Sequence, residues 1–431
     1  MCADYTNPET IVLHTGHRGD NEFGSVAVPI YQTTSYQFRD TEHAENLFAL
    51  KELGNIYTRI MNPTQNILEQ RLAAMEGGAM ALAVASGQAA SMFAVMNLCR
   101  AGDNFISSTN IYGGTWNLFA NTLKEFGVEC RFVDPSDPEA FGNATDDKTK
   151  CYYAETLPNP KLEVFPIKEV SDIGRKLGVP LIMDNTAAPL ICRPLDHGAA
   201  IVMYSTTKYI GGHGTSIGGV LIDGGNFDWE AGGDKFPGLN HPDPSYHGAV
   251  WTEAAKGLGA PIAYILRARV VLLRDVGAAT TPSNAFNVIQ GLETLPLRMR
   301  EHCSNAAAVV KYLEKHAKVE KVIHPLAQKG EARRRADAYL NGGYGALAGI
   351  ELKGGKDSGM KFIDALQMLF HVANIGDARS LAIHPASTTH SQLSSEELIK
   401  SGVTPGYVRL SIGIEHIDDI LADLDQALAA A

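Results

Sequence analysis

The chain has 431 residues, 45% hydrophobic and 20% charged, enough for two or three domains with a large core. A formal net charge of -11 argues against a nucleic-acid binder, which would show a basic face. The opening "MCADYTNPET" is no signal peptide, the best apolar run is cut by Arg267 and Arg269, and Cys2, Cys99, Cys130, Cys151, Cys192 and Cys303 are scattered. These features predict a cytoplasmic protein of a reducing compartment, with no membrane or nucleic-acid partner.

Residues 1–60 are turn-rich; an arm wrapping a neighbouring subunit and a loosely ordered terminus both fit this pattern. From 61 to 282 the chain reads as a large domain. "NILEQRLAAME" has helical spacing, "AMALAVAS" is a strand and "GQAASMFAVMNLC" a helix. "NFISST" is a strand, "TWNLFANTLKEFG" a helix, "VECRFVD" and "CYYAET" strands and "IKEVSDIGRKLG" a helix. "VPLIMDNT", "AAIVMYST" and "GGVLID" are again strands. Such alternation predicts an α/β fold with a mostly parallel central sheet, whose ligands sit at the carboxyl ends of the strands. Residues 224–260, rich in Gly, Pro, His and aromatics, interrupt the pattern as an insertion expected to be a long surface excursion, a lid or a subunit contact. Residues 283–431 begin with one long helical stretch over roughly 283–317. A smaller C-terminal α/β unit follows: "ALAGIELKGG" as a strand, "GMKFIDALQMLF" as a helix, "GYVRLSIGIE" as a strand. It closes with a helix over "IDDILADLDQALAA", where Ile417, Ile420, Leu421, Leu424 and Leu428 share a face.

Three features fall at strand ends of the first sheet. In "ASGQAAS" a strand ends at Ser86 and a helix opens near Gln88, so free N–H groups and the helix dipole could hold a phosphate, with Gly87 allowing close approach. Many such turns bind nothing. In "PLIMDNT", Asp184 could hold a cationic ring nitrogen, a metal or a ribose hydroxyl, or could simply cap a helix. In "MYSTTKYIGGHG", Ser205 and Thr207 can donate to phosphate and Lys208 can attack a carbonyl; alone, it reads as a solvated lysine in a glycine turn. A phosphate cradle, a carboxylate and a lysine on one rim together fit pyridoxal 5'-phosphate. The histidine pairs His14/His17 and His241/His247 lack a ligand cluster, so no metal is expected.

The chain resembles the Cys/Met-metabolism pyridoxal-phosphate enzymes, the relatives of cystathionine gamma-synthase. The likeness runs through "YTRIMNPT" (57–64), "ASGQAA" (85–90), "YGGT" (112–115), "ETLPNP" (155–160), "MDNT" (183–186), "YSTTKYIGGHG" (204–214), "SLAIHPASTTH" (380–390) and "VRLSIGIE" (408–415). It implies a fold-type I transferase. By resemblance, Lys208 would hold the cofactor as a Schiff base, Asp184 would pair with the pyridine nitrogen, and Tyr112 would stack on the ring. Gly87, Gln88, Ser205 and Thr207 would bind the phosphate, completed by Tyr57 and Arg59 of a neighbouring subunit. Arg409, Ser380 and Asn159 would bind the substrate's α-carboxylate. "NIGDARSLAIHPASTTHSQL" and the insertion are most similar to the branch that acts on O-acetylhomoserine. That branch implies γ-replacement on an amino-acid substrate by a sulfide donor, giving homocysteine, in a homotetramer built from active dimers. The γ-lyases and cystathionine γ-synthases use the same cofactor residues. Gly114, where γ-lyases commonly carry Cys, speaks against the lyase.

Overall fold

The computed structural model describes residues 5–19, 23–49, 51–52, 54–258, 260–388 and 403–431. Thr389 and His390, the end of one quoted motif, lie outside the described residues, as do residues 391–393.

The first sheet has seven strands: β1 (Met80–Val84), β2 (Asn104–Ser108), β3 (Glu129–Val133), β4 (Thr149–Glu155), β5 (Leu181–Asp184), β6 (Ile201–Ser205) and β7 (Gly219–Asp223). Their order is β1-β7-β6-β5-β4-β2-β3. Strand β7 runs antiparallel to both neighbours, and all other pairs are parallel. Consequently Val84, Glu155, Asp184 and Ser205 end their strands at one rim. Side chains alternate between two cores, as pleating requires. On β6, Val202 and Tyr204 enter one core while Ile201 and Met203 enter the other.

The second sheet contains β8 (Val319–Ile323), β9 (Leu347–Leu352), β10 (Phe370–His371), β11 (Leu381–Ile383) and β12 (Tyr407–Ser411), in the order β10-β11-β12-β9-β8. Only β10 and β11 pair in parallel. Val408, Leu410 and Ala348 of this sheet belong to the same core as Leu72 and Tyr204 of the large unit, so one apolar core runs through both. The closing helix Ile417–Ala430 adds Ile420, Leu424 and Leu428, with Ile417 and Leu421 at its margin.

Three elements differ from the sequence expectation. The single linker helix is two helices, Pro282–Glu293 and Leu295–Leu313, broken at Thr294. Pro296 cannot donate an N–H and clashes with the preceding turn, but fits the first turn of a new helix. The helix expected over "GMKFIDALQMLF" is Gly355–Ala365. Beyond it, the Asp423 carboxylate accepts the N–H groups of Gln367, Met368 and Leu369 and so diverts the chain towards β10. The insertion is not a free excursion. Phe227, Trp229, Phe236, Leu239 and Trp251 are buried in the second core, and Trp229 stacks on Tyr264 with ring centroids 5.2 Å apart.

The arm begins packed on its own chain. Helix Pro8–His14 buries Ile11 and Val12 against helices Pro63–Glu76 and Pro282–Glu293. Past it, Val26, Ile30, Tyr31 and Tyr57 are exposed.

Candidate active site

A cavity of about 250 Å³ opens at the rim where β1, β4, β5 and β6 end. Helix Gly87–Met96 starts at its edge. Ser86 caps it, accepting the Ala89 N–H on its hydroxyl at 3.1 Å and the Ala90 N–H on its carbonyl. That leaves the N–H groups of Gly87 and Gln88 without a partner among the described residues, both in residues lining the cavity. A Cβ on Gly87 would lie 2.7 Å from the Ser205 Cβ, so only glycine lets these two turns meet. Thr207 Oγ1 accepts from the Gly218 N–H at 3.1 Å, and the Ser205 N–H donates to Thr186 Oγ1 at 2.8 Å. The result is a small polar cradle at a helix N-terminus, suited to a phosphate.

Asp184 lies beside it, its Oδ1 accepting the Thr186 N–H at 2.9 Å. Burial raises its pKa to about 6, against the opposing hydrogen bonds from Thr186 and Tyr153. Glu155, at the neighbouring strand end, is pushed well above the usual carboxylate range by burial and by the charge of Asp184. Its Oε1 accepts the Tyr112 backbone N–H at 2.5 Å. Two buried carboxyls side by side cannot both ionise easily, and a cation between them would relieve that strain. A protonated pyridine nitrogen has the required charge. The Tyr112 ring, 55% exposed, stands at the mouth, and Gly114 leaves room for it, since a Cβ there would lie 2.5 Å from the ring.

Lys208 extends from the turn after β6. Its amine donates to Asn374 Oδ1 at 2.5 Å, and its pKa is lowered by burial and then by the Arg409 charge. Arg409 comes from β12 of the second sheet and donates to the Asn374 carbonyl at 3.0 Å. No carboxylate among the described residues pairs with it; the ionisable groups that act on it there are Tyr407, Tyr209 and Tyr112.

Of the residues singled out in the sequence, Gly87, Gln88, Tyr112, Asn159, Asp184, Ser205, Thr207, Lys208 and Arg409 line this one cavity. Three do not. Ser380 is fully buried elsewhere: its hydroxyl donates to Glu415 at 2.8 Å and accepts the Gly413 N–H at 2.8 Å. Tyr57 and Arg59 lie outside the cavity of their own chain, the guanidinium donating to the Arg274 carbonyl and standing 5.3 Å from the Tyr57 ring. Asn374 was not singled out in the sequence. It opens "NIGDARSLAIHPASTTHSQL", so the signal was the first letter of a quoted stretch.

An amine, a buried carboxylate, an aromatic face and a phosphate cradle around one cavity define a fold-type I enzyme that holds pyridoxal phosphate. The family model for Cys/Met metabolism PLP-dependent enzymes matches residues 9–429, and the chain belongs to that family. It is 53% identical over 427 residues to the O-acetyl-L-homoserine sulfhydrylase of Leptospira meyeri, covering 98% of this chain and 96% of that one. It is 47% identical to the homocysteine synthase of Schizosaccharomyces pombe over the full length of both. Among solved structures, a Campylobacter jejuni chain assigned as an O-acetylhomoserine (thiol)-lyase, carrying N'-pyridoxyl-lysine-5'-monophosphate, matches with a TM-score of 0.92 at 40% identity. That match covers 98% of this chain and 100% of the other.

Proposed function

We propose that this chain catalyses γ-replacement on O-acetyl-L-homoserine, with sulfide or a small thiol as nucleophile, giving L-homocysteine or methionine and acetate. The observation that carries the reading is that Lys208 and Arg409, the latter with no carboxylate partner among the described residues, meet at Asn374 in the cavity that holds Asp184. An amino acid bound there offers an α-carboxylate to the guanidinium, whose planar fork matches it. Its Cα then faces the lysine amine.

Gly87, Gln88, Ser205 and Thr207 would hold the phosphate, Asp184 would keep the ring nitrogen protonated, and Tyr112 would pack on the ring. The bound cofactor supplies an electron sink for the negative charge left when Cα loses its proton. Lys208 removes that proton; burial, and then the Arg409 charge, lower its pKa and so favour the neutral amine that a base must be. The same amine, held by Asn374, would serve the later proton removal at Cβ that lets acetate leave. Asn159 and Arg409 keep the substrate fixed. Tyr57 and Arg59 complete the phosphate site from the partner subunit; their place on an exposed arm outside their own cavity supports this. Pairs of such dimers form a homotetramer, and the protein works in the cytoplasm.

A substrate panel tests the reading: acetyl-, succinyl- and phospho-homoserine and O-acetylserine, each with sulfide, methanethiol or cysteine. Homocysteine from O-acetylhomoserine and sulfide, at the highest kcat/KM of the panel, is expected. Release of 2-oxobutanoate without any nucleophile, at a comparable rate, would instead make the chain a γ-lyase. Loss of the cofactor's visible absorbance in Lys208→Ala, with borohydride labelling Lys208 in the wild type, tests the lysine itself.

A further inference from the structure

We propose that Asn374 is the positioning residue for the Lys208 amine, its side-chain oxygen holding the base while its peptide carbonyl holds Arg409. This rests on Lys208 being the base, as argued above. The three residues come from separate places: the turn after β6, the connection between β10 and β11, and β12. Asn374 therefore sets the spacing between the proton acceptor and the carboxylate anchor across the two sheets.

The connection that carries it is pinned against the lysine turn. The Gly376 N–H donates to Ser411 Oγ at 3.0 Å, and the Ala378 N–H to the Gly212 carbonyl at 2.7 Å. A Cβ on Gly376 would lie 2.6 Å from the Tyr209 nitrogen, so this loop sits directly on the residue after Lys208. The amide is thus held in place before any substrate arrives.

Its chemistry suits the task. An amide oxygen only accepts, so a neutral lysine amine gives it one N–H and keeps its lone pair for the cavity. The four-carbon lysine stem is otherwise flexible. An amide also carries no net charge. A carboxylate at the same place would favour the ammonium form and remove the base at neutral pH.

The test uses holoenzyme of Asn374→Asp and Asn374→Ala. Both should keep cofactor and melting behaviour, the Asp variant being nearly isosteric. In Asn374→Asp the pH at which the visible cofactor band changes, which reports the proton on the lysine nitrogen, should rise by about one unit or more. In Asn374→Ala it should stay near the wild-type value. There, kcat should fall about ten- to a hundred-fold with KM within about threefold. The deuterium isotope effect with substrate labelled at Cα should grow, because proton removal becomes limiting. An unshifted band in Asn374→Asp would overturn the proposal. So would a rise in KM alone, which would put Asn374 on the substrate, or loss of cofactor from both variants, which would make it structural. Wild-type enzyme without the band would refute the parent reading instead.

Discussion

Arg409 shows how one side chain can act twice. Its guanidinium, without a carboxylate partner among the described residues, is the proposed anchor for a substrate carboxylate, and its charge adds to the burial that lowers the pKa of Lys208. Arg409→Leu should reduce kcat/KM by two to four powers of ten, about 3–5 kcal/mol for a desolvated ion pair. The acid limb of the kcat profile should move upward, because the amine is relieved of a neighbouring cation. Near-normal turnover of O-acetylhomoserine would remove Arg409 from the site. Glu76 is a second instructive residue, buried beneath the rim. Its Oε1 accepts from Tyr204 Oη, which in turn accepts from Asn185 at 2.7 Å, and burial raises its pKa to about 7. A raised folded-state pKa means that the native state binds the proton more tightly than the unfolded chain. The stability this contributes is fully present below about pH 4.5 and is lost as pH rises through about 7. Glu76→Gln should abolish that part of the slope, so the variant should gain on the wild type by on the order of 1–3 kcal/mol between pH 5 and pH 8. Denaturation curves that stay parallel across this range would show that Glu76 titrates normally.

At the scale of elements, the lysine turn is set by a helix that never touches the cavity. Gly291 of helix Pro282–Glu293 lies against it, where a Cβ would stand 2.1 Å from the Gly211 carbonyl oxygen. The neighbouring atoms are backbone and cannot swing aside. Arg298 of the next helix donates to the carbonyls of Tyr209 at 2.7 Å and Ile210 at 3.1 Å, and so fixes the same turn. Gly291→Ala should therefore cost about 1–3 kcal/mol of stability as overpacking. It should also lower activity more than an equally destabilising substitution in the second core, because the shift falls on Lys208. Equal losses for equal destabilisation would mean that the helix contributes only packing.

At the scale of the molecule, the cavity needs both sheets. Lys208 and Asp184 come from the first, Asn374 and Arg409 from the second, and the shared core prevents the two from moving apart freely. On the proposed reading, the exposed arm carrying Tyr57 and Arg59 would extend the same dependence to a second chain. Mixing inactive Arg59→Ala and Lys208→Ala proteins should restore activity, because one of the two sites in a hybrid dimer has every wild-type residue. No recovery after proven subunit exchange would mean that each site is built from one chain.

The sequence by itself determined the alternation of strands and helices. It also determined where the strands end, because the apolar runs stop at or just before the polar residues Ser86, Asp184 and Ser205. A parallel sheet then brings those ends to one rim, and with that the phosphate cradle, the carboxylate and the lysine. Period and propensity are local, and these features depend on little else. Other features depended on groups far along the chain. Asp423 stops a helix some fifty residues before it, and aromatic packing on Tyr264 draws the insertion into the core. Ser380 and Asn374 are separated by a few residues of one motif, yet only the second reaches the cavity, because Glu415 and Gly413 take the serine hydroxyl. Which polar group faces a cavity and which is consumed by its neighbours is settled by packing across the two sheets, and nothing in the spacing of the chain records it.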